Sequence, residues 1–481
     1  MYPLKQQLPD LYRQQMTSLL QEDAAAFFAS YEHPRTYGLR VHPDKWSLHD
    51  TARQQALQQF ALAPVAWCSE GYTYREQTRP GRHPYHAAGL YYIQEPSAMS
   101  AVAMLDPQPG ETILDLAAAP GGKSTHIAGR MQGKGLLVSN EIHRERARIL
   151  ASNIERMGMT NVVVVNSDPD SLALRFPEAF DRIMLDAPCS GEGMFRKDPD
   201  AIEEWSPDHV QMCAARQWDI VQAAVRMLKP GGTIAYSTCT FNEQENEQLI
   251  DRWIQAYPQF RLIQTERIWP HLHTGEGHFV AVLRLEESLT GVIAVGSSQA
   301  GKSASISKRP KGRSAKHNGD SRARQEAETA YRAFQEWAQQ HLAQWTPGPG
   351  EALLYGEELY WLPHPFNDTA LKLSPDFLSG MRVPRPGLHL AHMRKNRVEP
   401  AHALALSLQS ASCVHSVWDL TSSSDQVKAY LRGETITAVP GEKAASCKGW
   451  TLVTTDGLPL GWGKVSDGIL KNHYPKGLRT S

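Results

Sequence analysis

Short apolar runs recur along the middle of the chain, at 112–116, 136–139, 162–165, 182–185, 233–237 and 279–283, and each is separated from the next by a stretch with apolar residues at helical spacing. Near-continuous apolar strands that alternate with amphipathic helices are the signature of a sheet covered on both faces. The region from Thr112 to Leu285 is therefore expected to form a doubly wound, mostly parallel α/β domain. Its first helix should follow Lys123, and another is expected over 144–157 with Ile149, Leu150, Ile154 and Met157 on the buried side. Upstream, Leu11, Met16, Leu19 and Leu20 mark a helical pattern, followed by GLRVHP, a second helical stretch and VAWCSEGYTY, which read together as a small α+β unit. Downstream, 330–344 reads as a helix and the rest as short strands and turns.

Between these regions, 296–324 combines few large apolar side chains with many Ser, Gly, Lys and Arg, too little burial to order a segment. The domain division expected is 1–85, 86–286, a flexible basic linker over 287–325, then 326–395 and 396–481. The composition, 41% hydrophobic and 21% charged, is that of a soluble protein, and no apolar run approaches the ~18 residues of a membrane span. The opening MYPLKQQLPDLYRQQM lacks the succession of a signal peptide, so a cytoplasmic location is expected. The six cysteines show neither C-x-x-C spacing nor a His partner at metal-site spacing, so no metal is expected. A net charge of −1 argues against nucleic acid only on average: Lys302, Lys308, Arg309, Lys311, Arg313, Lys316, Arg322 and Arg324 are opposed locally by Asp320 alone.

ETILDLAAAPGGKSTHIAGRM reads as strand, small-residue loop and helix. Glycine and alanine admit a ligand close to the backbone, and a helix N-terminus offers N–H groups to anionic oxygens, so a nucleotide-like ligand is implied. A P-loop would end as Gly122, Lys123 and Ser124 do, with Asp186 imitating a Walker-B acid, but Ala117 stands where it needs glycine. The dinucleotide fingerprint is absent from the loop. S-adenosylmethionine (SAM) fits better: Glu141, after the second strand, can accept from both ribose hydroxyls, and Asp168, after the third, from the adenine amino group. Taken alone, Glu141 could equally be a surface residue at a helix start and Asp168 a turn former.

DAPCSGEGMFRKDP and YSTCT each follow a strand, so Asp186, Cys189 and Cys239 are expected to converge at the sheet's carboxyl edge. Carbon 5 of cytosine becomes nucleophilic once a thiolate adds to carbon 6, and an acid near ring nitrogen 3 assists by hydrogen bonding or protonation. Arg196 and Lys197 are candidate sources of the positive charge that would favour the thiolate. Cys68 and Cys213 are read as small buried hydrophobes. This chemistry does not rank Cys189 against Cys239.

AAAPGGK, DAPCSGEG, RKDPDA and STCT resemble the Nop/Sun-type RNA cytosine-5 methyltransferases, in particular the bacterial ones acting on 16S ribosomal RNA. The resemblance is strong over 85–285 and extends in general layout to the flanks. It implies a Rossmann-like class I SAM-dependent methyltransferase domain with a small N-terminal α+β domain and C-terminal α+β and PUA-like RNA-binding modules. It further implies that Ala117, Ala118, Ala119, Pro120, Gly121, Gly122 and Lys123 hold the methionine part of SAM, Glu141 the ribose and Asp168 the adenine. Asp186 would lie between cofactor and base, Cys239 would be the nucleophile and Cys189 would assist product release. Ala117 departs from the family loop, which usually starts with Cys. The partner implied is RNA, 16S ribosomal RNA or the 30S subunit, with transfer RNA as the rival substrate and a non-catalytic assembly factor as the rival class; a monomer is expected.

A target base must be unpaired or flipped before attack, so contacts outside the core are needed. Arg75, Arg79, Arg82 and His83, interspersed with Tyr72, Tyr74, Tyr85, Tyr91 and Tyr92, could combine phosphate contact with stacking, or the rings could pack beneath a solvated loop. Trp462, Lys464, Lys471, His473, Tyr474, Lys476 and Arg479 fall in the PUA-like end and are expected to help dock structured RNA.

Overall fold

A computed structural model describes residues 7–287, 316–343, 345–365, 373–395, 397–438 and 447–480. At its centre are the strands β1 (Thr112–Asp115), β2 (Leu136–Asn140), β3 (Val162–Asn166), β4 (Phe180–Asp186), β5 (Leu228–Thr238), β6 (Phe260–Ile268), β7 (His278–Leu285) and β8 (Arg382–Arg385). They lie in one sheet in the order β6-β7-β5-β4-β1-β2-β3-β8. Strands β1 to β5 are parallel, β7 runs antiparallel between β5 and β6, and β8 is antiparallel to β3. The strand order reverses between β1 and β4, which makes the carboxyl end of that pair the place where ligands collect in open α/β sheets.

Alternation along the strands divides the core in two. Ile113, Leu137, Val162 and Val164 pack on one face with helices α1 (Gly122–Arg130) and α2 (Arg144–Arg156). Leu114, Val138, Val163 and Val165 pack on the other with α3 (Pro169–Arg175), α4 (Pro207–Met227) and α5 (Glu247–Ala256). Helix α2 buries Ala147, Leu150 and Ile154, whereas Ile149, expected inside, is 52% exposed. At about 100° per residue, Ile149 sits a quarter-turn or more off the stripe set by Leu150 and Ile154. Strand β6 was not foreseen; its interior residues are exposed along an edge, so no apolar alternation marks it.

The N-terminal sheet, Ala63–Val65, Cys68–Thr73, Gly38–Val41 and Tyr91–Ile93 in that order, is antiparallel and extends past residue 85. Near the C-terminus, Gly350–Tyr355, Glu358–Pro363, Leu388–Arg394 and Arg397–Pro400 form an antiparallel sheet that continues past residue 395. A five-stranded sheet follows. Helix Lys316–His341 buries Ala327, Phe334 and Trp337 and begins inside the expected linker. Its polar first turns gain i,i+4 pairs, Arg322–Glu326 at 2.9 Å and Arg324–Glu328 at 3.9 Å. The linker's 288–315 lies outside the described residues. Among the described residues no helix is long and apolar enough to cross a membrane.

Candidate active site

The loop from β1 to α1 is fixed by its neighbours. Ala118 N donates to Asn140 O at 2.8 Å, and the buried Asn140 amide donates to Leu116 O and Ser167 O, tying the ends of β1, β2 and β3 together. Arg146 donates to Ala119 O and Asn153 to Pro120 O, both at 2.9 Å. Gly121 takes φ +111°, where a side chain would be strained, and its Cβ would come 3.1 Å from Leu150. The turn leaves the N-terminus of α1 open to a ligand's anionic group. Glu141 is buried at the end of β2; its Oε1 accepts from His143 N, and Oε2 lies 3.4 Å from Arg146.

Strands β4 and β5 pair with Asp186 opposite Ser237, so the turns beyond them start side by side. This brings the Cys189 and Cys239 sulfurs to 3.3 Å as free thiols. A buried polar network stitches the two turns. Glu245 accepts from Ser190 N at 3.0 Å and Gln217 Nε2 at 2.7 Å, while Ser190 Oγ meets Thr240 Oγ1 at 2.8 Å. Gly193 N donates to Cys239 O at 2.8 Å. In a dry interior such a network holds geometry because each unmade bond costs about 1–3 kcal/mol. The Cys189 thiol is pushed well above its ordinary pKa, first by hydrogen bonding with Cys239 and then by burial, so it stays protonated and can donate to the other sulfur.

Lys123 Nζ lies 2.8 Å from Asp186 Oδ2, and Ser237 Oγ donates to Asp186 Oδ1 at 2.8 Å. Burial raises the Asp186 pKa, but Lys123, His278 and these hydrogen bonds outweigh it and hold the carboxyl below its ordinary value. Asp186 is thus ionised at neutral pH. His278, buried at the start of β7, is pushed down to about 3 by burial, with Lys123 adding to the effect, and among the described residues its Nε2 meets no hydrogen-bond partner.

Lys123, Asp186, Cys189, Cys239 and His278 line one cleft of about 950 Å³ together with Ala117, Ala118, Ala119, Pro120, Gly122, Glu141, Ile142, Ala187 and Pro188. Gly121 and Asp168 do not line it; Asp168 is exposed and caps α3 by accepting from Ser171 N at 2.9 Å, and its successors Pro169 and Asp170 reach the wall. Arg196 does not serve the thiols, because it pairs with Glu276 at 2.7 Å and donates to Ser30 O and Gly275 O; Lys197 does line the cleft. Tyr85 and Tyr91 are buried, so these rings pack rather than stack on a ligand, whereas Tyr92, also buried, reaches the cleft wall; Trp462 and Tyr474 are buried likewise. Sequence reading missed Ser237, His278, Gln217 and Glu245. Of these, His278 carried a signal, a histidine opening an apolar strand of the same sheet.

The chain matches four family descriptions in succession: the N-terminal domain of 16S rRNA methyltransferase RsmF over 8–96, 16S rRNA methyltransferase RsmB/F over 102–284, the RsmF rRNA methyltransferase first C-terminal domain over 336–408, and the methyltransferase RsmF PUA domain over 419–480. It is 39% identical over 304 residues to ribosomal RNA small subunit methyltransferase F of Pectobacterium carotovorum, covering 58% of this chain and 62% of that one. The protein of that name from Escherichia coli O9:H4 is 38% identical over 306 residues, 59% and 63% of the two chains. The aligned stretch thus spans less than two thirds of these relatives' length. A methyltransferase homolog protein from Pyrococcus horikoshii superposes with a TM-score of 0.52 at 30% identity, over 57% of this chain and 95% of that one. NSun6 from the same organism, solved with SFG, shares the fold with a TM-score of 0.51 at 22% identity, over 58% and 98%.

Proposed function

The chain belongs to the 16S rRNA methyltransferase RsmB/F family, and from that premise we propose that it is a SAM-dependent RNA (cytosine-5)-methyltransferase acting on 16S ribosomal RNA, free or within the small subunit. The observation that carries the reading is the pair of free thiols, 3.3 Å apart, beside an ionised Asp186 in a cleft at the sheet's switch point. A pure scaffold has no use for that combination.

The cleft's donor set fits SAM. The α1 N-terminus and the loop Ala117–Lys123 suit the methionine carboxylate, buried Glu141 the ribose hydroxyls, and Ile142, Ala187 and Pro188 give apolar walls. Asp168 can reach the adenine amino group only with the carboxylate oxygen that its capping bond leaves over. When bound, SAM supplies an electrophilic methyl group. Cys239 Sγ, as thiolate, adds to carbon 6 of the flipped cytosine, placing the electron pair of the 5,6 double bond toward carbon 5. The electron density that reaches ring nitrogen 3 is neutralised by a proton taken up there from water, and Asp186, ionised, accepts hydrogen bonds from the resulting N3–H and from the 4-amino group. After methylation, water takes the carbon-5 proton, the 5,6 double bond re-forms as the bond from carbon 6 to Cys239 Sγ breaks, and the Cys189 thiol beside it donates its proton to the departing sulfur.

Labelled methyl transfer from SAM to purified 30S subunits, naked 16S RNA and bulk transfer RNA, with product nucleosides identified by mass spectrometry, tests the proposal. Labelled 5-methylcytidine in a ribosomal sample is the expected result. Label confined to transfer RNA would keep the chemistry and move the substrate, and no label in any sample would leave a non-catalytic role.

A further inference from the structure

Far along the chain from the cleft residues, Glu358 meets two histidines. Its Oε2 lies 2.7 Å from His389 Nε2 and 2.6 Å from His392 Nδ1. Histidines three apart on a regular strand would point to opposite faces. Here the pairing runs Glu358 with His392, Leu359 with Ala391, then Tyr360 with His389, so Leu390 is an extra residue in a bulge that turns both rings to the face of Glu358. The inside of the bulge is apolar, since Leu390 and Ala391 are fully buried, whereas the three polar side chains remain partly open. His389 is further fixed by stacking on Tyr360 at 4.7 Å and by an edge contact with His392 at 4.8 Å.

We propose that Glu358, His389 and His392 form a binding site for a divalent transition-metal cation of the zinc type. Two imidazole nitrogens and one carboxylate oxygen, all within 4.8 Å of one another, are a borderline-soft donor set with a fourth position left for water. Glu358 Oε2 is the common neighbour of both ring nitrogens, so the three donor atoms already face one point and need only draw apart slightly to take an ion between them. His389 also lines a cavity of about 2050 Å³, which gives the ion a way in. Among the described residues a second grouping of donors, Cys68, Glu70 and His126, differs in that Glu70 is held by Arg130 at 3.2 and 3.1 Å, so its charge is already matched.

The full chain, stripped with chelator, is titrated with zinc by calorimetry and separately with cobalt(II) by absorption spectroscopy. About one equivalent of zinc should bind, and cobalt should give d–d bands without thiolate charge-transfer bands, since the ligands carry no sulfur. His389→Ala with His392→Gln should abolish this binding and Glu358→Gln weaken it by about tenfold or more, while thermal unfolding of each variant in metal-free buffer stays near that of the parent. No stoichiometric binding, binding that survives the double histidine change, or thiolate bands that point to Cys189 and Cys239 would each overturn the site. So would a variant that unfolds early without metal, since the cluster would then be an ion-pair staple.

Discussion

At the thiol pair, the sulfurs lie 3.3 Å apart and either can donate to the other, so one can attack while its neighbour gives a proton. The motif resemblance assigns attack to Cys239 and proton donation to Cys189, whose thiol is pushed up by its bond to Cys239 and by burial. Cys189→Ala is therefore expected to trap a covalent protein–RNA adduct, visible as a shifted band on a denaturing gel, while Cys239→Ala gives none and loses methyl transfer; the reverse pattern would exchange the roles. The motifs bearing Asp186, Cys189 and Cys239 were readable because each sits directly after a strand. The Lys123–Asp186 pair was not, since it depends on β1 and β4 lying adjacent. A second residue-scale effect is Lys45, fully buried with its Nζ 2.8 Å from Ala88 O; burial pushes it down to about 7, with Arg156 adding to the effect. Between pH 7 and about 10 the unfolded chain keeps this proton and the folded chain does not, so this group favours folding increasingly as pH rises. Lys45→Met should thus gain on the parent most at pH 7 and below, the difference shrinking by up to about 1.4 kcal/mol per pH unit above 7; equal denaturation profiles at pH 7 and 9 would remove the charge from the account.

Elements carry the next level, because the turns after β4 and β5 are held by close backbone approach as well as by the buried polar network. A Cβ on Gly193 would fall 2.9 Å from Cys239 O and 3.0 Å from Gly277 O, both main-chain atoms with little room to retreat. Gly193→Ala is expected to displace the Cys239 turn and to cut the rate of methyl transfer by about 10²-fold, the scale of a 1 Å misplacement, with only a few degrees lost in thermal midpoint. Unchanged transfer would mean that the turn can yield. Parallel strands buried on both faces were legible in the sequence because their runs of Val, Ile and Leu admit few other structures. Strand β6 was hidden by its polar edge, and Ile149 misled because an apolar residue one step off a helical stripe looks like part of it. The bulge at Leu390 was equally hidden: a period-2 reading places His389 and His392 apart, and only the register slip unites them.

Across the whole molecule, the modules share cores instead of hanging on linkers. Tyr12 and Phe27 of the N-terminal helices pack edge-on against Phe195, Trp205 and Phe241, which flank the cysteine turns. Leu39 and Tyr85 of the N-terminal unit share one cluster with Trp418, Val453 and Leu460 of the last sheet, and Tyr85 donates to Asp456 at 2.7 Å. The central sheet itself is completed from the C-terminal half: β8 covers the edge of β3, and buried Arg385 donates to Val162 O and Met159 O, each at 2.6 Å. None of this was accessible from the sequence, since β8 is a short, polar segment with no apolar pattern of its own. Its consequence is that a truncation after Gln325, the natural way to test an RNA-docking role for the C-terminal modules, would also bare a sheet edge and bury fewer carbonyl partners. Arg385→Ala separates the two effects. Hydrogen bonds from a charged donor contribute about 1.5–3 kcal/mol, so losing both should lower the thermal midpoint by several degrees and speed amide exchange in Val162–Asn166, with no contact to RNA removed by design. If exchange there is unchanged in Arg385→Ala, β8 is not what holds the edge, and loss of RNA affinity on truncation can be assigned to the modules themselves.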